Sequence, residues 1–249
     1  MRVVIVTGAS SGIGRATAAR IGRAGTTVVL AARRTDELES LAAAITGAGG
    51  AAVVAPTDVR DPAAITALVA RAAEVTGRVD GLVNNAGIGG AASILAADDD
   101  VTRMIDVNLL APIRLMRAVV PLMREQGSGA IVNIGSVAGE IGIGGTYSAT
   151  KFALRGMTDS VRRELAGTGI GVTLVEPGFI ATGFNNRKNL PGPEIVAAAV
   201  ESALTRPRRR IVVPLKYRAA ITAATVLPFV TDRVFAGRAA AKRDLEGHP

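Results

Sequence analysis

Short apolar runs alternate with longer amphipathic stretches along most of the chain. Apolar runs bounded by glycine or polar residues are typical of buried parallel strands, and apolar residues at three- and four-residue spacing are typical of helices. The strands that this pattern predicts are 3–6, 27–32, 53–55, 81–83, 130–135, 171–175 and 211–215. Because strands and helices alternate throughout, the pattern predicts an α/β fold with a doubly wound parallel sheet and right-handed crossovers.

The predicted helices follow the strands, and one of them contains a polar residue in an apolar setting. In the helix after Asp98, Asn108 lies among Met104, Ile105, Val107 and other apolar residues. An amide there needs hydrogen-bond partners, so Asn108 is either a satisfied core residue or a site residue. The chain length suits one domain, and we expect it to span 1–215, with a loop at about 179–193 over the substrate and an extension at 216–249.

Composition removes several kinds of chemistry. The sequence has no cysteine and a single histidine, His248, which excludes disulfides, thiolate nucleophiles, Cys-ligated zinc, His-based metal sites and a Ser-His triad. Carboxylates, lysine and tyrosine remain for proton transfer. Tyrosine occurs only at Tyr147 and Tyr217, and lysine at four positions, so we expect no metal and a site built on tyrosine and lysine.

The net charge of +8 is concentrated at one end of the chain. From Arg206 onward there are ten Lys or Arg against three Asp or Glu, and aromatic residues make up only 3% of the sequence. This tail has few aromatic side chains on which bases could stack and is poorly suited to bind nucleic acid, so we expect no nucleic-acid partner. A strand opens the chain with no long apolar segment before it, which predicts a cytoplasmic protein without a signal peptide.

A glycine-rich turn, TGASSGIG, joins the first strand to the first helix, with glycines at 8, 12 and 14. Such a turn lets the backbone approach a pyrophosphate, which the helix N-terminus then binds. The next strand ends in Arg33 and Arg34. An acidic residue there would bind the ribose 2′-hydroxyl of NAD, whereas arginine suits a 2′-phosphate, so NADP(H) is favoured over NAD(H). Both arginines are alternatively surface residues at a helix start.

The segment from Ser136 to Lys151 holds the candidate catalytic group. Tyr147 and Lys151 are four residues apart and share one helix face, and Ser136 ends a buried strand. A phenol titrates near 10, and an ammonium about 4 Å away is worth about 4 kcal/mol at an effective dielectric of about 20. We therefore expect Lys151 to lower the pKa of Tyr147, which becomes a general acid, with Ser136 as a donor to the substrate oxygen.

These motifs together, in their order and spacing, resemble those of the short-chain dehydrogenase/reductase family: TGASSGIG, Asp58, the NNAG segment at 84–87, Asn108, Ser136, Tyr147-Ser-Ala-Thr-Lys151 and PGFIAT at 177–182. The resemblance covers residue 1 to about 215. It implies a Rossmann fold of about seven strands with helices on both faces, and a catalytic tetrad of Asn108, Ser136, Tyr147 and Lys151. Lys151 would also bind the nicotinamide ribose, and Asn108 would anchor a water that links Lys151 to solvent.

The resemblance also implies a set of cofactor contacts. They are Gly8, Ser10, Ser11, Gly12, Ile13 and Gly14 in the turn, Arg33 and Arg34, Asp58 and Val59 near the adenine, Asn85, Ala86 and Gly87, Tyr147 and Lys151, and Pro177, Gly178, Ile180 and Thr182 near the nicotinamide. The reaction that it implies is hydride transfer between nicotinamide and a carbonyl or secondary alcohol. An NAD-dependent member, a lyase or epimerase, and a dinucleotide sensor on the same fold stay open as alternatives.

The extension departs from the family pattern, in which many chains stop soon after the last strand. We expect it to be a helix that packs on its own domain, and contact with an anionic membrane surface is the less favoured alternative. The family resemblance implies a homodimer or homotetramer, and the extension puts the tetramer in doubt. Apolar residues at Ile141, Ile143, Phe179 and Phe184 favour an apolar substrate, although they could equally be packing residues.

Overall fold

A computed structural model of the protein describes residues 2–90, 93–183, 189–229 and 232–233. Within them, seven strands form one parallel sheet in the order β3-β2-β1-β4-β5-β6-β7. The strands are β1 Val3–Thr7, β2 Thr27–Ala32, β3 Ala51–Pro56, β4 Gly81–Asn84, β5 Gly129–Ile134, β6 Ile170–Pro177 and β7 Arg210–Val213. The predicted α/β fold with a doubly wound sheet is therefore confirmed.

Helices connect the strands in the described part of the chain. They are α1 Gly12–Arg23, α2 Thr35–Gly47, α3 Pro62–Ala73, α4 Asp98–Ile105, α5 Ala111–Glu125, α6 Ala138–Ile141, α7 Thr146–Glu164, α8 Glu194–Thr205 and α9 Lys216–Val226. A π-helical turn, Asp106–Leu110, joins α4 to α5. Local sequence explains some of these boundaries: Asp61 caps the N-terminus of α3, where its carboxylate accepts from the backbone N–H of Ala63 at 2.8 Å, and Pro62 lies in the first turn.

The core consists of two layers, one on each face of the sheet. Along β1, Val3 and Ile5 belong to the layer packed against α3 and α5, whereas Val4 and Val6 belong to the layer packed against α1, α2 and α8. This alternation is the period of a strand, and a sheet covered on both faces requires apolar residues at every position. The carboxyl ends of all seven parallel strands consequently share one edge, where ligands bind in such sheets.

Where the structure departs from the sequence prediction, the differences lie at the ends of elements and in one helix. Observed strands end up to two residues from their predicted ends, because the last residues of a strand lack a distinctive pattern. The helix predicted after Asp98 is interrupted by the π-helical turn that contains Asn108. Apolar periodicity does not distinguish one π-helical turn from α-helix, although such turns are frequent at functional sites.

Candidate active site

The glycine-rich turn lies at the end of β1 and requires glycine at several positions. Gly8 and Gly12 have φ of 66° and 53°, a region that favours glycine. A Cβ on Gly14 would lie 2.3 Å from the carbonyl oxygen of Gly8, so α1 could not come this close to the turn with any larger residue. The first turn of α1 contains no acidic residue, and its N-terminus is suited to an anion.

The end of β4 is fastened to the same turn. The amide nitrogen of the Asn85 side chain donates to the carbonyl oxygen of Thr7 at 2.9 Å. The backbone N–H groups of Asn85 and Ala86 donate to the hydroxyl of Thr7 at 3.0 and 3.1 Å. Across the crevice, a Cβ on Gly12 would lie 3.3 Å from the side chain of Thr182. The predicted contact residues of the turn, of β4 and of the segment after β6 therefore surround one crevice.

One of the two arginines after β2 contacts this turn, and the other lies near Asp58. The guanidinium of Arg34 donates to the hydroxyl of Ser10 at 3.1 Å, which brings a cation to the Gly-rich turn. Asp58, after β3, forms an ion pair with Arg60 at 2.6 Å. The hydrogen bond from Arg60 and, more weakly, the charge of Arg33 hold the pKa of the Asp58 carboxyl below its usual range. This corner of the crevice thus has cations available and keeps Asp58 ionised.

Tyr147, Ser136 and Lys151 meet at the carboxyl edge of the sheet. α7 begins after Gly145 and places Tyr147 and Lys151 one turn apart, while Ser136 follows β5 and hydrogen-bonds to Tyr147. The ammonium of Lys151 lies 5.8 Å from the centre of the Tyr147 ring. It donates to the carbonyl oxygen of Ile134 at 2.9 Å and is 5% exposed. A Cβ on Gly139 would lie 2.8 Å from the Lys151 backbone, so α6 packs directly against the turn of α7 that contains Lys151.

The electrostatics of this group differ from the sequence expectation. Burial raises the pKa of the Tyr147 phenol, and the hydrogen bond with Ser136 opposes that rise. Burial also lowers the pKa of Lys151 to about 8. The expectation of a lowered Tyr147 pKa is therefore wrong for this structure. The physical reason is that both side chains are buried, and burial disfavours the charged form of each of them.

Asn108 is buried and uses its amide within the protein. Its side-chain oxygen accepts from the N–H of Ile88 at 2.9 Å, and its nitrogen donates to the carbonyl of Ile88 at 2.9 Å and to the hydroxyl of Thr150 at 3.3 Å. A Cβ on Gly87 would lie 3.3 Å from the Asn108 oxygen and 3.7 Å from the ammonium of Lys151. Asn108 and the Lys151 ammonium therefore both border Gly87, and Asn108 holds the segment after β4 in place.

Beyond β6, the remaining predicted residues continue the wall of the crevice. The carbonyl of Pro177 accepts from the N–H of Val137 at 3.0 Å, and Ile180 is buried. Tyr217, from α9, lies over Gly178, where an added Cβ would come within 2.1 Å of its ring. Its hydroxyl accepts from the N–H of Phe179 at 3.4 Å. Tyr217 was not a predicted site residue, although it is one of only two tyrosines in the sequence.

Sequence reasoning also missed a buried ionic cluster behind this wall. Glu140, from α6, accepts hydrogen bonds from Arg155 at 2.8 Å and lies 3.1 Å from Arg210, which also pairs with Glu176 at the end of β6. Glu176 lies within an apolar run, immediately before Pro177. A buried carboxyl needs a partner, so this position was the sequence signal for the cluster. Of the apolar residues proposed to face substrate, Ile141 packs against α9 instead, and Phe184 lies outside the described residues.

A parallel sheet with a Gly-rich turn at one crevice, and a Ser-Tyr-Lys group beside it, defines a nucleotide-binding oxidoreductase. The chain belongs to the short-chain dehydrogenase/reductase family: the family model described as short chain dehydrogenase matches residues 2–191. Members of this family bind a nicotinamide cofactor and a small-molecule substrate. The resemblance found in the sequence is therefore confirmed, and the individual site residues stay predictions.

Individual relatives named as reductases or oxidoreductases support this family assignment. The chain is 36% identical over 226 residues to the ketoacyl reductase HetN of Nostoc sp., a match that covers 85% of this chain and 78% of that protein. It is 35% identical over 226 residues to an uncharacterized oxidoreductase of Staphylococcus saprophyticus, covering 83% and 91%. Two solved structures each match 85% of this chain. Levodione reductase has 29% sequence identity, is covered over 95% of its own chain and has a TM-score of 0.79. A metagenomic short-chain oxidoreductase in complex with NADP has 34% identity, is covered over 96% of its own chain and has a TM-score of 0.76.

The residues at the crevice fit a dinucleotide. Gly8 and Gly14 leave no room for a side chain, and the N-terminus of α1 follows them without a nearby carboxylate in its first turn. Among the described residues, no group of carboxylates or histidine has the arrangement of a metal site. None of the described helices combines the length and apolarity needed to cross a bilayer.

Proposed function

We propose that the protein is an NADP(H)-dependent oxidoreductase that transfers a hydride between nicotinamide and a carbonyl or secondary-alcohol substrate. The observation that carries the proposal is the Ser136–Tyr147 hydrogen bond at the carboxyl edge of the sheet, with the Lys151 ammonium 5.8 Å from the Tyr147 ring. A neutral phenol beside a hydroxyl donor is the arrangement that carbonyl reduction needs.

Each residue has a role that follows from its chemistry. Bound nicotinamide supplies or accepts the hydride. Tyr147 gives its proton to the substrate oxygen in reduction and takes one in oxidation, and Ser136 donates a hydrogen bond to that oxygen. The raised pKa of Tyr147 keeps the phenol protonated at neutral pH, which favours its role as an acid in reduction.

Lys151 and Asn108 support this proton transfer. The Lys151 ammonium stabilises negative charge left on the phenol and binds the nicotinamide ribose. Asn108 keeps the segment after β4 against Lys151 through its two hydrogen bonds with Ile88. A water held near Asn108 would return a proton to Lys151 from solvent.

The preference for NADP(H) rests on the arginines after β2. Arg34 hydrogen-bonds to Ser10 in the Gly-rich turn, and Arg33 is exposed close enough to Asp58 to lower the pKa of that carboxyl. Two cations at this corner suit the 2′-phosphate of NADP. The metagenomic relative with 34% identity was solved in complex with NADP, which supports the same preference here.

The substrate class and assembly are part of the proposal. Phe179, in the segment after β6, packs edge-on to Tyr217, and Ile143 is partly exposed; both residues suit an apolar substrate. The name of one relative, a ketoacyl reductase, supports a carbonyl substrate. The exposed apolar side chains of Ile105 on α4 and Phe152 on α7 support a homodimer through those helices. A cytoplasmic location is also part of the proposal.

The test is a panel of ketones, acyl thioesters, quinones and aldehydes, assayed for NADPH oxidation at the nicotinamide absorbance band, with NADH as the control cofactor. We expect stoichiometric NADPH loss with at least one carbonyl. Tyr147→Phe should lose almost all turnover and keep NADPH affinity, measured by the fluorescence of bound NADPH. Full turnover by this variant would remove Tyr147 from its role, and product formation without NADPH loss would indicate a lyase or epimerase.

A further inference from the structure

Large apolar side chains are highly exposed in two segments of the described chain. The most exposed large apolar residues of the described chain, at 67% to 98%, are Ile94, Leu95, Leu215, Val226 and Phe229. All five follow the carboxyl end of a strand, the first two after β4 and the others after β7. Soluble proteins seldom expose large apolar groups close together unless the groups bind something.

α9 has apolar residues on two opposite faces. One face packs on the domain: Ile221 is buried with Val137 and Val212, and Tyr217 packs against the same cluster. At about 3.6 residues per turn, the opposite face contains Leu215, Ala219, Thr222 and Val226, all exposed. A helix that is fastened to its domain by one face needs no second apolar stripe for folding.

Two cations border this second stripe. Lys216 and Arg218 project on either side of it at helical spacing, and both are exposed. We call Leu215, Lys216, Arg218, Ala219, Thr222 and Val226 the α9 surface. The next large apolar residues along the chain, Leu227 and Phe229, are 45% and 68% exposed. An apolar stripe between cations is the pattern of helices that lie in a lipid interface.

We propose that the α9 surface docks on an anionic lipid surface. The apolar stripe would enter the boundary between headgroups and acyl chains, while Lys216 and Arg218 contact the phosphates. This inference concerns binding alone and does not depend on the proposed reaction.

Charge distinguishes a lipid surface from a second copy of the chain. A two-fold contact through α9 would bring its positive surface against itself, which costs free energy. The exposed pair Ile94 and Leu95 is followed by Asp98, Asp99 and Asp100, so that segment lacks the positive charge and is not part of the surface. In α9 the exposed apolar residues lie beside Lys216, whose ammonium is 5.7 Å from the centre of the Tyr217 ring, and beside the exposed Arg218.

The test is co-sedimentation of the full-length protein with vesicles of phosphatidylglycerol and phosphatidylcholine, and with vesicles of phosphatidylcholine alone. We expect sedimentation with the anionic vesicles only, and loss of it in about 1 M salt, where the screening length is about 3 Å. Lys216→Gln with Arg218→Gln should weaken binding about 30-fold, since each cation near such a surface is worth about 1 kcal/mol.

Matched controls separate a local surface from net charge. Arg23→Gln with Arg71→Gln removes the same charge from exposed positions on α1 and α3 and should leave binding within about threefold. Val226→Asp should abolish binding, whereas Ile195→Asp, an equally polar change at an exposed residue of α8, should not. Far-ultraviolet circular dichroism and thermal unfolding would show that each variant is folded.

Three outcomes would overturn the proposal. They are failure of the wild type to sediment with either vesicle, equal weakening by the Arg23/Arg71 control, and salt-insensitive binding to phosphatidylcholine alone. If light scattering instead showed self-association that Val226→Asp abolishes, with no vesicle binding, α9 would be an interface between copies. None of these outcomes bears on NADPH oxidation, so the two proposals fail separately.

Discussion

The ammonium of Lys151 donates a hydrogen bond to the carbonyl oxygen of Ile134, 2.9 Å away, at the end of β5. Lys151 is therefore held by the same strand end from which the chain continues to Ser136. Burial lowers the pKa of its ammonium to about 8, so its charge is present at neutral pH and lost in mildly alkaline solution. This places the titration of a proposed catalytic group within an accessible pH range.

The first prediction concerns the pH dependence of carbonyl reduction. Below about 8 Lys151 is charged and stabilises the phenolate that Tyr147 becomes when it donates its proton; above that pH this stabilisation is lost. We expect kcat/KM for reduction to be level from pH 6 to 7 and to fall about tenfold per pH unit above about 8. Initial rates of NADPH oxidation across this range would measure it.

Lys151→Met is the control for that assignment. The variant should have low activity at every pH, without the decline that begins near 8, because methionine has no proton to lose. NADPH binding measured separately at each pH would show whether the decline arises in binding or in turnover. An unchanged decline in the Lys151→Met variant would assign the titration to another group.

The second prediction concerns the close approach of α1 to the glycine-rich turn. In Gly14→Ala, the new Cβ would lie 2.3 Å from the carbonyl oxygen of Gly8, so either the turn or the helix has to move. We expect NADPH affinity to fall at least 100-fold, because the helix N-terminus no longer meets the pyrophosphate. Fluorescence titration with NADPH would measure the affinity.

Gly47→Ala is the matched control for this substitution. Gly47 ends α2, and a Cβ there has no neighbour within 4 Å. Alanine at this position should leave NADPH affinity unchanged and raise the free energy of unfolding by up to about 1 kcal/mol. A Gly14→Ala variant that bound NADPH as the wild type does would show that the crevice does not hold the pyrophosphate at α1.

The third prediction concerns the cofactor preference. Removing the cation that hydrogen-bonds to Ser10, with Arg34→Gln, should weaken NADPH binding about 10- to 100-fold. NADH binding should change little, since NADH has no 2′-phosphate. Arg23→Gln on the exposed end of α1 serves as the control and should change neither affinity. Equal losses for both cofactors would indicate that Arg34 has only a structural role.

Much of the architecture and of the site was accessible from the sequence, for identifiable reasons. The runs around Val4, Val28 and Val132 are apolar because both faces of the sheet are covered, and this makes parallel strands visible. The spacing between Tyr147 and Lys151 is local, so one helix turn fixes their relation. The predictions that depend on nearby sequence therefore agree with the structure.

The relations that escaped prediction join segments that are distant in the sequence. The packing of Tyr217 over Gly178 and the ion pairs of Arg210 with Glu140 and Glu176 depend on how β7 and α9 fold back over the sheet edge. No local pattern encodes these contacts. The predicted direction of the Tyr147 pKa shift was also wrong, because the burial that raises this pKa depends on tertiary packing.

The fourth prediction concerns the stability cost of the buried ionic cluster. Burial raises the pKa of the Glu176 carboxyl to about 8, and the neighbouring carboxyl of Glu140 adds to the rise, while Arg210 opposes it. Glu176 is 1% exposed, and Glu140 is also paired with Arg155. The folded protein therefore keeps a proton on Glu176 between about pH 4.5 and 8, where the unfolded chain has lost it.

The sign of the effect follows from this difference in proton binding. Because the folded state binds more protons in this window, the free energy of unfolding falls as pH rises from 5 to 8. Glu176→Gln has no such proton and should lack this contribution, which is on the order of 4 kcal/mol. The interaction with Arg210 is part of this linkage, because it stabilises the ionised carboxyl and so opposes the rise in the Glu176 pKa.

Urea unfolding of wild type and Glu176→Gln at pH 5 and pH 8 would measure this double difference. Lys151, whose pKa is about 8, is present in both proteins, so its contribution cancels in this double difference. Glu74→Gln, at an exposed carboxylate paired with Arg71, is the control and should have the pH dependence of the wild type. If Glu176→Gln also has that dependence, Glu176 is ionised in the folded protein, and Arg210 outweighs both burial and Glu140.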